Sequence, residues 1–141
     1  MPQRFPVAVG NFGFREWTLK LAFEFAHRVE DGSIVLWRPG LTFWIDVFGN
    51  QLHEVIGARL DRILADASPE RTNERTFHEL DYVRVTYEVD ERAADPTTPH
   101  YRSLTGFVIA DGGHVRITAY CDDPTTLGFA YAVIGSVRRA S

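Results

Sequence analysis

Five histidines, one cysteine and several paired carboxylates are the residues whose types could do chemistry in this chain. His53-Glu54 begins a zinc-protease helix pattern, in which a second histidine four residues on completes the metal face. Gly57 stands there instead, and the pattern fails. His78 falls on one face of a strand and the Glu79/Asp81 pair on the other, an ordinary solvated rim. His114 flanks a glycine turn opposite Asp111, and His100 lies in a proline-bounded loop. No two histidines share metal-ligand spacing within one element. The serines (Ser33, Ser68, Ser103, Ser136, Ser141) lack a Gly-x-Ser-x-Gly setting. Gly10-Asn11-Phe12-Gly13 and Asp111-Gly112-Gly113 do not link a strand to a helix as phosphate cradles do. Asp122-Asp123 reads as helix capping rather than calcium ligation. Cys121 is the only cysteine, which excludes an internal disulfide and a thiolate zinc cage. Placed opposite Leu104 on an apolar face, it reads as a buried, inert thiol. No catalytic, metal or cofactor site follows.

The unusual string is Trp37-Arg38-Pro39-Gly40-Leu41-Thr42-Phe43-Trp44. Its structural reading is a hairpin clamped by aromatic residues. Its functional reading is an aromatic and arginine anchor of the kind enriched at interfaces. Pro39-Gly40 has type II turn chemistry, proline presetting φ and glycine accepting a positive one. A two-residue loop there puts Leu36 opposite Phe43, Ile34 opposite Ile45 and Val35 opposite Trp44; a register slipped by one is the alternative.

The remaining elements follow from periodicity. Residues 1–13, with Pro2, Pro6, Gly10 and Gly13, read as an irregular lead-in to a single domain over 14–141. Residues 17–25 alternate as a strand does, with Trp17, Leu19, Leu21, Phe23 and Phe25 on one parity. Asn50 would cap a helix over residues 51–67 with a stripe from Leu52 to Leu64. Residues 70–75 read as a solvated loop and 77–89 as one long strand. Residues 101–110 and 115–121 form a hairpin around Gly112-Gly113, pairing Gly106 with Ala119 and Leu104 with Cys121. Asp123 caps a last helix with Pro124 at its first position; Leu127, Ala130, Tyr131, Ile134 and Val137 are its buried stripe and Arg138-Arg139 complement its C-terminal end. The expectation is an α+β domain: one antiparallel sheet of about six strands with two amphipathic helices, one on each face. Its runner-up puts both helices on one face.

In those registers Leu36, Phe43, Ile45, Val108, Ile117 and Ala119 make the core face. Val35, Trp37, Trp44, Phe107, Ile109 and Tyr120, with Arg116 among them, gather on the other. Trp37, Arg38, Trp44, Phe107, Ile109, Arg116 and Tyr120 are therefore the candidate interaction face. With 141 residues, 45% apolar and 13% aromatic, the chain can bury one compact core. A net charge of −4 lacks the basic footprint of a nucleic-acid binder. No apolar run has membrane-spanning length, and the first fourteen residues carry no secretory apolar core. A cytoplasmic protein is expected.

The tryptophan string, together with Tyr101-Arg102-Ser103-Leu104-Thr105-Gly106-Phe107-Val108-Ile109, Gly113-His114-Val115 and Asp122-Asp123, resembles an uncharacterised family of small bacterial proteins over most of residues 30–139. More distantly, the element order resembles the PsbP/Mog1/DcrB-like fold group. That resemblance implies an antiparallel sheet between helices, used by non-enzymatic accessory, chaperone-like and partner-binding proteins, some of them exported. The group has no shared catalytic motif, so no catalytic residue carries over. Two functions are expected from these readings. The leading one is a non-catalytic binding module that recognises a protein partner, a hydrophobic peptide or a second copy of itself. The other is a small-molecule-binding domain or weak enzyme with a pocket between sheet and helix, polar-lined by Arg84, Arg116 and Tyr120.

Overall fold

A computed structural model describes residues 5–140. The chain runs β1 (Val7–Phe14), β2 (Trp17–Glu30), β3 (Ser33–Arg38), β4 (Leu41–Gly49), α1 (Ile56–Asp66), β5 (Thr72–His78), β6 (Val83–Val89), α2 (Glu91–Ala94), β7 (Arg102–Ala110), β8 (Gly113–Cys121), α3 (Pro124–Gly135) and β9 (Arg138–Arg139). All strands join one antiparallel sheet in the order β1-β2-β3-β4-β8-β7-β6-β5, with β9 paired to β2. The expectation of about six strands and two helices is thus corrected to nine strands and three helices.

Each extra element has a local cause. Residues 7–14, read as part of the irregular lead-in, form a strand in which Gly10 (φ +72°) sits at a bulge against β2 rather than in a loop; Pro2 lies outside the described residues. The single long strand over 77–89 is a hairpin: the Glu79 N–H donates to the Tyr82 carbonyl (2.8 Å), and Leu80 stands almost wholly exposed at its tip. The charged stretch read as a loop becomes edge strand β5, exposed along its whole length. Arg138-Arg139 do not decorate a helix end. They pair with Trp17 and Thr18, and the Arg139 guanidinium stacks over the Trp17 ring at 5.2 Å.

α1 begins at Ile56, five residues later than expected at residue 51. Asn50 is used differently: its Oδ1 accepts from the Glu54 N–H (2.9 Å) and its Nδ2 donates to the Glu54 and Asp111 carbonyls (2.9 and 2.7 Å). It closes a loop, in which His53 takes a positive φ of +52°. α3 starts as the sequence indicates, with Asp123 accepting from the Thr125 N–H at 2.8 Å.

The β3–β4 register is the expected one, with Leu36↔Phe43, Val35↔Trp44 and Ile34↔Ile45, and Gly40 at φ +85°. The β7–β8 register is shifted by two residues: the loop is Asp111-Gly112, Gly106 faces Ile117, and Leu104 faces Ala119. Gly113 is the reason. It takes φ +155° inside β8, and a Cβ there would strike the Phe48 carbonyl of β4. A residue committed to that close approach cannot also turn the chain. A shift of two leaves every side chain on its expected face.

Strand parity then separates two cores. On one face α3 packs Ala130, Val133 and Ile134, with Val137 just beyond its end, against Trp17, Leu19, Leu36, Phe43, Leu104, Val108, Ile117 and Ala119. On the other, α1 lays Ile63, with Ile56, Leu60 and Leu64, on Val85, Tyr87, Phe107 and Ile109. α3 touches β7, β8 and β2 at once. The sheet order puts three strand spacings, roughly 14 Å, between β8 and β2. With 12 residues α3 is about 18 Å long, enough to cross that span.

The closest point of that seat is Gly106, where an added Cβ would collide with Cγ2 of Ile134. Gly106→Val should lower stability by about 1–3 kcal/mol through overpacking. Urea denaturation measures it, and Ile134→Ala in the same chain should recover part of the loss. An unchanged midpoint would mean that α3 does not rest on this strand.

Candidate functional site

The seven residues of the expected interaction face do not form one exposed patch. Phe107 and Ile109 are buried beneath α1. Arg38 points to the opposite face, where its guanidinium stacks over Phe23 (4.6 Å) and Phe25 (5.7 Å). Arg116 is held by Asp46 at 2.9 Å and lies over the Phe48 ring. Trp37, Trp44 and Tyr120 remain, half-buried, on the part of the face that α1 leaves uncovered. Even there Trp37 is occupied: Phe5 meets it edge-on at 4.9 Å and Arg28 sits over its ring at 4.7 Å. Tyr120 packs against His100, whose Nδ1 is 2.8 Å from Asp122. Burial raises the Tyr120 hydroxyl pKa.

The histidines stay apart as well. Among the described residues no three His, Cys, Asp or Glu side chains come together as a metal cage would require. His53 and His78 are exposed. Cys121 is fully buried, and burial is the main cause that pushes its thiol pKa up. His114, expected at a turn beside Asp111, is instead buried within β8 opposite Ile109 and stacked on Phe48 at 4.8 Å.

An apolar opening lies on the α3 side, and it begins with an irregularity of β2. One edge of this strand pairs with β1. Its other edge pairs with β9 at Trp17 and Thr18 and with β3 from Ala26 to Glu30. Between those points, over residues 19–25, no described strand takes that edge. The Lys20 N–H shows which way the free groups point: it donates to Ser136 Oγ (2.9 Å), across toward α3.

Beside this edge is a cleft of about 630 Å³, walled by Leu21, Phe23, Phe25, Leu41, Phe129 and Val133. Phe23 and Phe129 meet edge to face across it at 5.2 Å, and each keeps more than two fifths of its surface exposed. Lys20 and Arg38 line its charged margin. A large aromatic pair left open to water beside an unpaired strand edge is suited to binding rather than to bond-breaking chemistry. Sequence reasoning had a signal for it. α3 carries Leu127, Phe129, Ala130, Tyr131, Ala132, Val133 and Ile134 in succession, so it is apolar on all sides, and such a helix has apolar neighbours on more than one side.

No protein-family model and no curated protein sequence matches the chain. No helix of the described residues is long and apolar enough to cross a membrane.

Burial, reinforced by the nearby Arg59, Arg62 and Arg116 guanidiniums and opposed by Glu54, depresses the His114 pKa from 6.5 to about 4. Between those values the unfolded chain binds a proton that the folded chain refuses. The stability present above pH 6.5 is therefore lost as pH falls toward 4, by on the order of 3 kcal/mol. Urea midpoints recorded between pH 7 and 4 should show this fall, and His114→Phe should flatten it. Equal pH slopes in the two proteins would place the titration elsewhere.

Proposed function

We propose that the protein is a non-catalytic binding module that captures an extended peptide segment of a partner protein by strand addition to β2. The observation that carries this reading is the unpaired edge over residues 19–25, running beside the Phe23–Phe129 cleft. In strand addition the edge supplies main-chain hydrogen bonds, and pockets for alternate side chains supply selectivity. Both parts are present. The peptide lies between β9 and the β3–β4 turn and sends one aromatic or branched apolar side chain into the cleft. Lys20 and Arg38 favour an acidic residue beside that side chain. The volume of the cleft is that of a site for one or two large side chains or a small ligand.

The resemblance to a fold group of accessory, partner-binding proteins points the same way. The alternative pocket polar-lined by Arg84, Arg116 and Tyr120 is not assembled: Arg84 is buried in an ion pair with Glu79 and donates to the Ile134 carbonyl, Tyr120 lies on the other face, and of the three Arg116 lines a cavity beneath α1.

Selection of displayed peptides on the immobilised protein should enrich segments of four to six extended residues with one central aromatic or branched residue. Phe129→Glu should cut their affinity by at least about tenfold. Methylating the peptide backbone at alternate amides should abolish binding at one parity and spare it at the other. Affinity that ignores both changes would overturn strand addition. Loss with Phe129→Glu but none with any backbone methylation would point to a small-molecule-type cleft instead.

A further inference from the structure

A second cavity, on the opposite side of the sheet, is built around a buried cation. It measures about 690 Å³ and lies between α1, the loop before it, and strands β4, β8, β7 and β6. Arg59 reaches it from α1 with only 2% of its surface exposed. One guanidinium nitrogen, Nη2, is fixed by the Gly49 carbonyl (3.1 Å) and Asn50 Oδ1 (2.5 Å). The other two, Nε and Nη1, have no hydrogen-bond partner in the protein. A guanidinium cannot discharge by losing its proton, so these donors stay charged and unsatisfied. The nearest carboxylate is Glu54, 3.9 Å from Nε, and Arg62 already holds it with contacts of 2.7 to 3.2 Å. Glu54 is thus shared between two guanidiniums, and the charge of Arg59 is only partly matched.

Arg15, Arg62 and Arg116 line the cavity with Arg59, against the carboxylates Glu54 and Asp66; Glu54 holds Arg62, and Asp46 holds Arg116. His114, 94% buried at its back, also has an unpartnered Nδ1. The sheet floor adds the hydroxyls of Thr105 and Thr118 and the rings of Tyr87 and Phe107. A cavity of this volume is far too large for a bare ion and lies in the range of small organic ligands.

We infer that this cavity is a binding site for a small organic anion: an oxyanion, carboxylate or phosphate, seated on Arg116 over the buried charge of Arg59, carried by a flat ring that lies on Tyr87 and Phe107. The unpaired nitrogens of Arg59 and His114 are sealed beneath the cavity wall, so Arg59 acts on the anion through its charge and Arg116 makes the direct contact. The site is independent of the peptide cleft, which opens on the other face of the sheet.

The test uses three probes on the full chain: phenyl phosphate, benzoate and inorganic phosphate, at constant ionic strength. Binding is followed by the His114 ring resonances and by thermal stability. Phenyl phosphate or benzoate should saturate below about 1 mM and move the His114 resonances, with inorganic phosphate weaker. The favoured one of the two identifies the oxyanion. Arg116→Gln, a change at a half-exposed side chain, should weaken binding about tenfold without unfolding the protein. Arg59→Gln should abolish it; because that variant can unfold, Arg116→Gln is the deciding substitution. Phe129→Glu should leave all three affinities unchanged. Absence of a saturable His114 shift at about 10 mM of either ring-bearing probe would overturn the site. So would equal binding by wild type and Arg116→Gln.

Discussion

The contact between Ile134 and the bare backbone of Gly106 governs the rest of the architecture. Because β7 presents no side chain there, α3 sinks onto the sheet closely enough for Ala130 and Ile134 to be wholly or almost wholly excluded from water. Polar groups fix the helix in that seat. Tyr131 donates to buried Glu88, Arg102 stands 3.5 Å from the same carboxylate, and Arg84 donates to the Ile134 carbonyl. Burial and that hydrogen bond raise the Tyr131 pKa to about 12, so the hydroxyl keeps the proton it donates. A helix held so firmly over β7 and β8 sets the course of the chain that follows. Val137 and β9 are carried to the start of β2, where β9 pairs with Trp17 and Thr18.

β2 divides its second edge between two partners. Fourteen residues long, it serves β9 at its beginning and β3 at its end, and leaves residues 19–25 between them. One partner follows α3 in the chain, and the other continues the sheet. The gap between them is a consequence of geometry rather than of weak strand propensity. Leu19, Leu21, Phe23 and Phe25 alternate as regularly as any stretch in the chain. α1 has a lesser part. It covers only the β5-side half of the other face, and the Asn50 loop that precedes it sets Arg59 over the cavity on that side.

What the sequence revealed and what it concealed divide along the same physical line. Short-range chemistry was readable: the Pro39-Gly40 turn, the Asp123 cap and the parity of β3, β4, β7 and β8 all depend on neighbours within a few residues. Features set by distant backbone were not. Gly113 looks like a turn residue until β4 is known to pass against it. Arg138-Arg139 look like helix-end charges until β2 offers an edge. The charged strand β5 is indistinguishable from a loop by composition, since an exposed edge strand favours the same residues as solvent does. The candidate cleft fell in this second class. Phe23 was legible as a core-facing strand residue, yet its exposure depends on where α3 ends and β9 begins. In the Trp37–Trp44 string, the most conspicuous feature of the sequence, Trp37 is engaged by Phe5 and Arg28 within the chain itself.

An unpaired strand edge is a hazard, because it invites the sheets of other molecules to pair with it. The two outer edges of this sheet are protected by ordinary means. β5 carries Glu74 and Arg75 along an exposed, bulged strand, and β1 is broken by the bulge at Gly10. The middle of β2 has both, in Lys20 and Glu24 and in the irregular pairing between Leu21 and Phe25. Its further protection is steric: β9 closes one end of the gap, the Arg38-Pro39-Gly40 turn stands at the other, and Phe23 with Phe129 flanks it. A second sheet, broad and twisted, cannot enter such a slot. A single extended segment can. The same geometry that keeps the edge from indiscriminate pairing therefore leaves it open to one narrow class of occupant, which is the physical difference between an aggregation-prone edge and a binding site.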